Sequence, residues 1–258
     1  MSAILFQISE GVATITLNRP DKLNAFDREM ALLFQQKLDE AASLHEVRCV
    51  VITGAGKGFS AGQDLAELTG SNPPSMSQIL SEHYNPIVTR IRNLPKPVVA
   101  AVNGVAAGAG ANIALCCDIV IAKSSASFIQ AFSKIGLIPD SGGTFFLPRL
   151  IGLQKAAALT MLGDKVSAAE AEKLGMIYRC IEDDAFDETA RKLCMQLAQM
   201  PTRGLALTKH ALNQSLSNNL ETQLMLEDKM QQEAALTYDY REGVEAFLQK
   251  RTPKFEGR

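Results

Sequence analysis

Tryptophan is absent from this chain of 258 residues, and cysteine and histidine are scarce, with five and three residues respectively. No two cysteines have the Cys-x-x-Cys spacing and no histidine lies at ligand spacing from them, so the sequence gives no support for a metal site. An odd number of cysteines is typical of reduced thiols, and we expect most of them to be buried: Cys49, Cys116, Cys117, Cys180 and Cys194. The histidines stand among polar residues of predicted helices and are expected at the surface: His45, His83 and His210.

Charge of one sign does not accumulate anywhere in the chain. Lys and Arg together number 26 and Asp and Glu 28, which gives a formal net charge of −2, and neither sign forms a long block. This pattern disfavours binding to nucleic acid or to an anionic membrane surface. Long apolar runs are also lacking, because Asn, Lys or Asp interrupts each one before membrane-spanning length, and no charged leader precedes an apolar run at the N-terminus. We therefore expect a cytoplasmic protein.

The apolar residues that are present, 47% of the total, suffice to bury one large core. Up to Gly152, short β-branched runs alternate with turns and helical segments, beginning with a predicted hairpin in which Glu10-Gly11 separates residues 3–9 from residues 12–18. After Gly152 helical periodicity dominates, and residues 178–181 are the only predicted strand there. We expect the apolar surface of this helical layer to pack on a neighbouring subunit.

One acid stands in an unusual local setting. Asp140 directly follows a proline, which fixes the backbone, and precedes Gly142-Gly143, which permit a sharp turn. Apolar residues on both sides make partial burial of the carboxylate an expectation: Ile135, Leu137, Ile138, Phe145, Phe146 and Leu147. A carboxylate in apolar surroundings has a raised pKa and is suited to act as a general base. The alternative, a solvated aspartate in an ordinary turn, stays open at this point.

A Gly-x-Ser-x-Gly pattern spans residues 58–62 and raises the alternative of a serine hydrolase. Such a site needs a strand that runs straight into the serine, followed later by an acid and a histidine. Here Gly54 to Gly58 separate the strand from Ser60, and the later histidines, His83 and His210, stand in polar helical surroundings. The pattern therefore disfavours a hydrolase. Neither glycine cluster has the spacing of a dinucleotide-binding or phosphate-binding loop.

Glycine-rich turns also present backbone N–H groups that no strand ladder uses. Residues 59–61 form one such turn and residues 107–110 a second, each after a predicted strand. If the two turns meet, the amides of Ala61 and Ala109, the latter at the start of a predicted helix over residues 109–116, form a site for negative charge that develops on an oxygen. The residues alone leave open whether they meet.

Six segments occur together in the order and spacing of one known family: residues 24–26, 59–65, 96–104, 108–110, 117–118 and 138–143. With these motifs and residues 240–247, essentially the whole chain resembles the crotonase (enoyl-CoA hydratase/isomerase) superfamily. The resemblance implies an α/β fold with a ββα spiral core, assigned to residues 1–195, and a C-terminal helical trimerisation region, assigned to residues 196–258. It also implies a homotrimer or a dimer of trimers, a complex with a related hydratase as a further partner, no permanently bound cofactor, and coenzyme A as part of an acyl thioester substrate.

By the same resemblance, the amides of Ala61 and Ala109 hold the thioester oxygen and Asp140 moves the proton. Asn112 and Phe132 stand where enoyl-CoA hydratases carry two glutamates, and neither can act as a general base, so water addition in the usual manner is not expected. Residues 130–143 are most similar to isomerases that convert ring-1,2-epoxyphenylacetyl-CoA to oxepin-CoA. A Δ3,Δ2-enoyl-CoA isomerase, an enoyl-CoA hydratase and a non-catalytic acyl-CoA-binding partner remain as alternatives.

The resemblance also places residues against CoA and the acyl group. Those expected to contact CoA are Lys22 and Ala25 in the CoA-binding loop, Gln63, Asp64 and Leu65 beside the adenine and pantetheine, and Lys254 or Lys250 at the phosphates of a neighbouring subunit. Asn112 either orients the substrate or caps a turn. Phe132, together with Tyr84, either shapes an aromatic acyl pocket or packs in the core. A loop over residues 70–75 either covers the acyl pocket or only connects two helices.

Overall fold

The N-terminal hairpin forms as the sequence predicts. In the computed structural model, which describes residues 2–69 and 73–258, strand β1 (Ile4–Ser9) pairs antiparallel with strand β2 (Val12–Leu17). Both turn residues have positive φ, 52° at Glu10 and 78° at Gly11, as a two-residue type I′ turn requires. Of the predicted loop over residues 70–75, positions 70–72 lie outside the described residues.

Helix α1 (Arg28–Ser43) begins at an aspartate cap. The Asp27 carboxylate accepts a hydrogen bond from the Met30 amide at 2.9 Å, which satisfies one of the free N–H groups of the first turn. Met30, Phe34 and Leu38 recur at spacings of four residues and are buried against the sheet core. Both features follow local signals of the sequence, an aspartate that precedes a segment whose apolar residues recur at helical spacing.

Two sheets build the core. After the hairpin, the strands in chain order are β3 (Cys49–Gly54), β4 (Gly58–Ser60), β5 (Val98–Val102), β6 (Val105–Ala107), β7 (Ile119–Lys123), β8 (Ser127–Ile129), β9 (Lys165–Ser167) and β10 (Arg179–Ile181). The larger sheet has the order β1-β2-β3-β5-β7-β10 and is parallel from β2 onward. The smaller sheet has the order β4-β6-β8-β9, parallel except for the pair β8 and β9.

A strand of the larger sheet is followed three times by a short strand of the smaller one: β3 by β4, β5 by β6, and β7 by β8. Helical segments then return the chain to the larger sheet, among them α2 (Asn85–Asn93) and α3 (Ala109–Leu115). The turn between β5 and β6 packs closely on the turn between β3 and β4, since a Cβ on Gly104 would lie 2.0 Å from the carbonyl oxygen of Lys57. This repeated ββα unit is the predicted spiral core.

Some elements were not predicted. Strands β4 and β6 have three residues each and are built largely from Gly, Ser and Ala, which carry little strand propensity. Strand β9 is also present, so the expectation that residues 178–181 alone interrupt the later helices is wrong. Helix α4 (Gly143–Ile151) starts at a glycine pair and contains Pro148, both of which count against a helix in the sequence.

The cysteines are as predicted and one histidine is not. All five thiols are free, and four of them are buried. His45 and His210 are exposed, whereas His83 is 2% exposed and lies 6.4 Å, centroid to centroid, from the ring of Tyr84. Within the described residues its Nδ1 has no hydrogen-bond partner, and burial lowers its pKa. Its polar sequence neighbours gave no sign that its own side chain turns inward.

The later helices are α5 (Leu153–Leu162), α6 (Ala168–Lys173), α7 (Phe186–Gln199), α8 (Thr202–Ser215), α9 (Leu220–Ala235) and α10 (Tyr238–Gln249). Helix α7 packs on the larger sheet through Phe186, Cys194 and Ala198, so the predicted boundary after residue 195 falls inside a helix of the core. Large apolar side chains of α9 and α10 remain exposed, including Met225 at 70% and Phe247 at 83%. Their packing against a neighbouring subunit stays a prediction.

No helix in the described part of the chain is long and apolar enough to cross a bilayer. The same residues contain no cluster of three or more His, Cys, Asp or Glu side chains that could hold a metal ion.

Candidate active site

The two glycine-rich turns meet. A Cβ on Gly62 would lie 2.9 Å from the carbonyl oxygen of Ala107 and 3.1 Å from the amide nitrogen of Ala109. A Cβ on Gly110 would lie 2.5 Å from the carbonyl oxygen of Ser60. Only residues without side chains allow the two backbones to approach this closely. The sequence left the contact open, and the structure provides it.

A cavity of about 210 Å³ opens beside this contact. Its wall includes Ala61, Ala109 and Asp140, which the sequence expected to act together, and Gln63, Leu65 and Phe132 from the expected substrate-binding set. Apolar side chains make up most of the remaining wall, and Asp140 is the only carboxylate among the described lining residues. A largely apolar cleft with a few convergent polar groups is typical of a small-molecule site.

A second cavity, of about 320 Å³, lies between the larger sheet and helix α7. Val51, Phe186 and Cys194 form part of its wall, and Glu10 and Arg191 stand 3.8 Å apart at the same place. Neither of the two glycine-rich turns reaches it. We therefore assign the chemistry to the smaller cavity.

The amide of Ala61 is already engaged, contrary to the expectation that it is open to a ligand. It donates to the carbonyl oxygen of Leu23 at 2.9 Å. The amide of Gln63 is not engaged in this way. Gln63 forms an isolated β-bridge with Phe26, in which the Phe26 amide donates to Gly62 O (2.7 Å) and the Asp64 amide donates to Phe26 O (2.8 Å). The Gln63 N–H therefore faces away from Phe26 and has no acceptor among the described residues.

Ala109 is the first residue of helix α3, so its N–H has no partner within the helix. The preceding Gly108 has φ 53° and ψ −129°, a conformation that glycine adopts easily and that aligns the chain for this sharp start. Next to Gly62, the structure thus brings together the amides of Ala109 and Gln63, neither of which has an acceptor in the part of the chain that the structure describes. The sequence had assigned Gln63 only to the CoA-binding segment.

Asp140 is partly buried, and burial raises the pKa of its carboxyl above the ordinary value. The Ser141 hydroxyl donates to Asp140 Oδ1 at 2.8 Å and acts in the opposite direction. Both the expected raised pKa and its expected cause, partial burial, agree with the structure. Four of the six apolar sequence neighbours are exposed, Ile138 the most at 79%. The cavity around the carboxylate is lined both by neighbours, Ile135 and Leu137, and by distant residues such as Tyr84.

Asn112 holds the turn that carries Asp140. Its Nδ2 donates to the backbone carbonyl of Asp140 at 2.8 Å, and its Oδ1 accepts from Gln130 Nε2 at 2.8 Å. The side chain is 1% exposed and does not line the cavity, so of its two predicted roles the structure favours the turn cap. Phe132 is 6% exposed and lines the cavity, so it belongs to both the core and the pocket wall.

The other expected CoA-binding residues lie outside the cavity wall. Lys22 is exposed at the end of a short helical turn, and Ala25 is buried with its carbonyl oxygen bonded to Arg19 at 2.5 Å. Asp64 also turns to Arg19, at 2.9 Å. Burial alone would raise the pKa of Asp64, but the hydrogen bonds from Arg19 and the Ala66 amide lower it. Lys254 is exposed on the C-terminal tail.

Tyr84 enters the cavity from a π-helical turn, Ile79–Tyr84, which directly precedes α2. Pro86 has no amide hydrogen to donate to the carbonyl of Glu82, four residues back. The preceding amide, of Asn85, donates to Leu80 O, five residues back, as in a π-helix. Gln35 Nε2 donates to the freed carbonyl of Glu82 at 2.7 Å. The proline was a visible sign of irregularity, whereas Gln35 had no signal in the sequence.

Known proteins resemble this chain in sequence and in fold. Residues 7–258 match the family model of enoyl-CoA hydratase/isomerase. The chain is 48% identical to the 1,2-epoxyphenylacetyl-CoA isomerase of Escherichia coli K12 over 100% of both chains. It is 36% identical to the trans-2-decenoyl-(acyl-carrier-protein) isomerase of Streptococcus mutans, over 99% of this chain and 98% of that one. The crystal structure of an enoyl-CoA hydratase from Bacillus anthracis matches with a TM-score of 0.92 at 33% identity, over 99% of this chain and 100% of that one. The chain therefore belongs to the enoyl-CoA hydratase/isomerase family of acyl-CoA enzymes, the crotonase superfamily.

Proposed function

We propose that this enzyme isomerises acyl-CoA thioesters through an enolate and that its substrate is ring-1,2-epoxyphenylacetyl-CoA, which it converts to oxepin-CoA. One observation carries the proposal: Asp140, the one carboxylate that residues 2–69 and 73–258 contribute to the wall of a mostly apolar cavity, has a raised pKa and shares that cavity with the adjoining turns of Gln63 and Ala109. The identity of 48% with an isomerase of that name supports the choice of substrate.

The thioester oxygen accepts hydrogen bonds from the amides of Gln63 and Ala109. Asp140 takes the proton from the carbon next to the carbonyl, the C–H electron pair forms a C=C bond to the carbonyl carbon, and the carbonyl π pair moves onto the oxygen to give the enolate. The two amides stabilise that charge, and each is worth on the order of 10²–10³ in rate. Asp140 then returns the proton at a different carbon, a role worth roughly 10²–10⁴. For the epoxide, the same proton transfers accompany expansion of the ring.

Hydration requires a second group that activates water. Asn112 and Phe132 occupy the two positions where hydratases carry a glutamate. The side-chain amide of Asn112 donates its hydrogen bond to the Asp140 carbonyl. Amides and phenyl rings do not act as general bases. A Δ3,Δ2-enoyl-CoA isomerase is the second candidate, because it needs the same three groups, and the relative from Streptococcus mutans is an isomerase of a decenoyl chain.

Coenzyme A would pass the exposed Lys22, whose neighbour Leu23 accepts the Ala61 amide at the edge of the site. Replacing Lys22 by Ala should raise KM by up to about fivefold, more at low salt, since an exposed ion pair contributes about 0.2–1 kcal/mol. Exposed Lys173 serves as the control.

The apolar residues exposed on α9 and α10 support a trimer or a dimer of trimers, and light scattering of the purified protein gives the oligomer mass.

The decisive experiment follows epoxyphenylacetyl-CoA, a 3-enoyl-CoA and crotonyl-CoA by mass spectrometry and ultraviolet absorption. We expect turnover of the epoxide, its loss in Asp140→Asn, and no change in Asp187→Asn, an exposed acid on helix α7. Unchanged turnover in Asp140→Asn would exclude the mechanism. Turnover of the 3-enoyl-CoA alone would transfer the assignment to the second candidate, and hydration of crotonyl-CoA alone would exclude an isomerase.

A further inference from the structure

The side chain of Gln63 is held at both ends. Its Oε1 accepts a hydrogen bond from the hydroxyl of Tyr84 at 2.9 Å, and its Nε2 donates to Glu67 Oε2 at 2.7 Å. Glu67 is itself fixed, because its Oε1 accepts from the amide of Arg28 at 3.0 Å, at the start of helix α1. A flexible glutamine is thereby fixed between the π-helical turn and helix α1.

The backbone before Gln63 needs such a restraint. Gly62 has φ 86° and no side chain, and glycine rotates more freely than any other residue. The bridge to Phe26 restrains Gly62 on one side through the carbonyl oxygen. On the other side, the Gly62 amide donates to Ser60 Oγ at 3.2 Å, and the side-chain hydrogen bonds of Gln63 add a restraint on the residue that carries the amide.

Tyr84 is a stable anchor for this contact. The side chain is fully buried, and its ring meets the ring of Phe26 edge-on at 6.0 Å with an interplanar angle of 70°. Burial, and then the nearby charge of Asp140, raise the pKa of the Tyr84 hydroxyl well above 10. The hydroxyl therefore keeps its proton and remains a donor to Gln63 throughout the working pH range.

We propose that Tyr84 is a positioning residue, whose hydroxyl acts through the Gln63 side chain to aim the Gln63 amide at the thioester oxygen. The inference rests on the proposed function, because it presumes that this amide activates a carbonyl. Tyr84 itself need not touch the substrate. Loss of its hydroxyl should weaken carbonyl activation while the cavity keeps its shape.

The test is a double-mutant cycle with Tyr84→Phe and Gln63→Met. Both changes remove the Tyr84–Gln63 hydrogen bond, and Gln63→Met also removes the one to Glu67. Tyr84→Phe should lower kcat about tenfold, a part of the roughly 10²–10³ that loss of a whole donor costs, and leave KM almost unchanged; Gln63→Met should lower kcat at least as far. The double variant should lose no more than Gln63→Met alone, because the hydroxyl of Tyr84 acts only through the Gln63 side chain. Tyr178→Phe, in an exposed tyrosine, is the matched control.

Infrared difference spectra of bound phenylacetyl-CoA, labelled with ¹³C at the thioester carbonyl, give a second readout that does not depend on turnover. The wild-type protein should lower the carbonyl stretching frequency relative to free thioester, and both variants should lower it less. Because the ring of Tyr84 remains in Tyr84→Phe, thermal unfolding should change little. If that variant nevertheless fails to fold, Gln63→Met with the spectrum still decides.

Additive losses in the cycle, a rise in KM at constant kcat, or an unchanged carbonyl frequency in Gln63→Met would overturn the positioning role alone. A wild-type protein that neither shifts the carbonyl frequency nor isomerises any of the thioesters would overturn the proposed function, and the positioning role with it.

Discussion

Asn112 Nδ2 donates to the backbone carbonyl of Asp140 at 2.8 Å, so the residue at a hydratase glutamate position supports the turn that carries the acid of this site. The side-chain Oδ1 of Asn112 accepts a hydrogen bond from Gln130 Nε2. The Oε1 of Gln130 has no partner within the described residues. The hydrogen bond from Asn112 to Asp140 connects helix α3, which presents the Ala109 amide, to the segment that presents Asp140. The proposed amide donor and the proposed base are therefore positioned by the same element.

Replacing Asn112 by Ala should destabilise the protein by about 1–3 kcal/mol, because the Asp140 carbonyl and the Gln130 amide lose a buried partner. The activity should fall further than stability alone explains, by up to ~10²-fold in kcat, since small displacements of a catalytic group are costly. Thermal unfolding and kcat are the measurements, and Asn93→Ala, at an exposed position, is the control. Full activity in Asn112→Ala would show that the Asp140 turn is held by other contacts.

Asp140→Asn should stabilise the fold at neutral pH. Burial raises the pKa of this carboxyl above its ordinary 3.8, so the folded state binds the proton more tightly than the unfolded state does. The associated stability is present below the unfolded pKa and is lost as pH rises through the folded pKa. The melting temperature of Asp140→Asn should therefore exceed that of the wild type at pH 7, and the difference should vanish toward pH 3.8 and below.

Asp183→Asn provides a control of opposite sign. Hydrogen bonds from Ser125 lower the pKa of Asp183, so its stability is present above the unfolded pKa and is lost as pH falls through the folded pKa. This variant should melt below the wild type at pH 7, and its difference should also vanish in acid. Parallel behaviour of the two variants would contradict the burial of Asp140.

Gln35→Leu should destabilise the protein by about 1–3 kcal/mol, because the carbonyl of Glu82 would lose its side-chain donor inside the protein. The π-helical turn that presents Tyr84 should loosen, and kcat should decrease. Gln36→Leu changes the exposed neighbour on the same helix and should affect neither quantity. Equal melting temperatures for the two variants would exclude a role for Gln35 in holding the turn.

Gly62→Ala and Gly152→Ala separate backbone strain from close contact. Both glycines have positive φ, 86° and 78°, so each substitution should cost roughly 1–3 kcal/mol. A Cβ at Gly152 meets nothing within 4 Å, whereas at Gly62 it would stand 3.1 Å from the Ala109 nitrogen. Only Gly62→Ala should therefore also lower kcat, and equal activity of both variants would contradict the contact between the two turns.

The sequence by itself determined the hairpin, the Asp27 cap, the free cysteines and the family, because each depends on local propensity or on motifs read in order. It also identified Asp140, since proline and paired glycines are local signals. It did not determine which amides are free, because that depends on where acceptors lie in space. Ala61 donates to Leu23, Gln63 does not donate to Phe26, and no local pattern distinguishes them. Likewise, His83 and Gln35 became buried through packing of helix α1 against the π-helical turn. Those assignments belong to the tertiary structure, because hydrogen bonds between distant segments are decided only once the segments have packed.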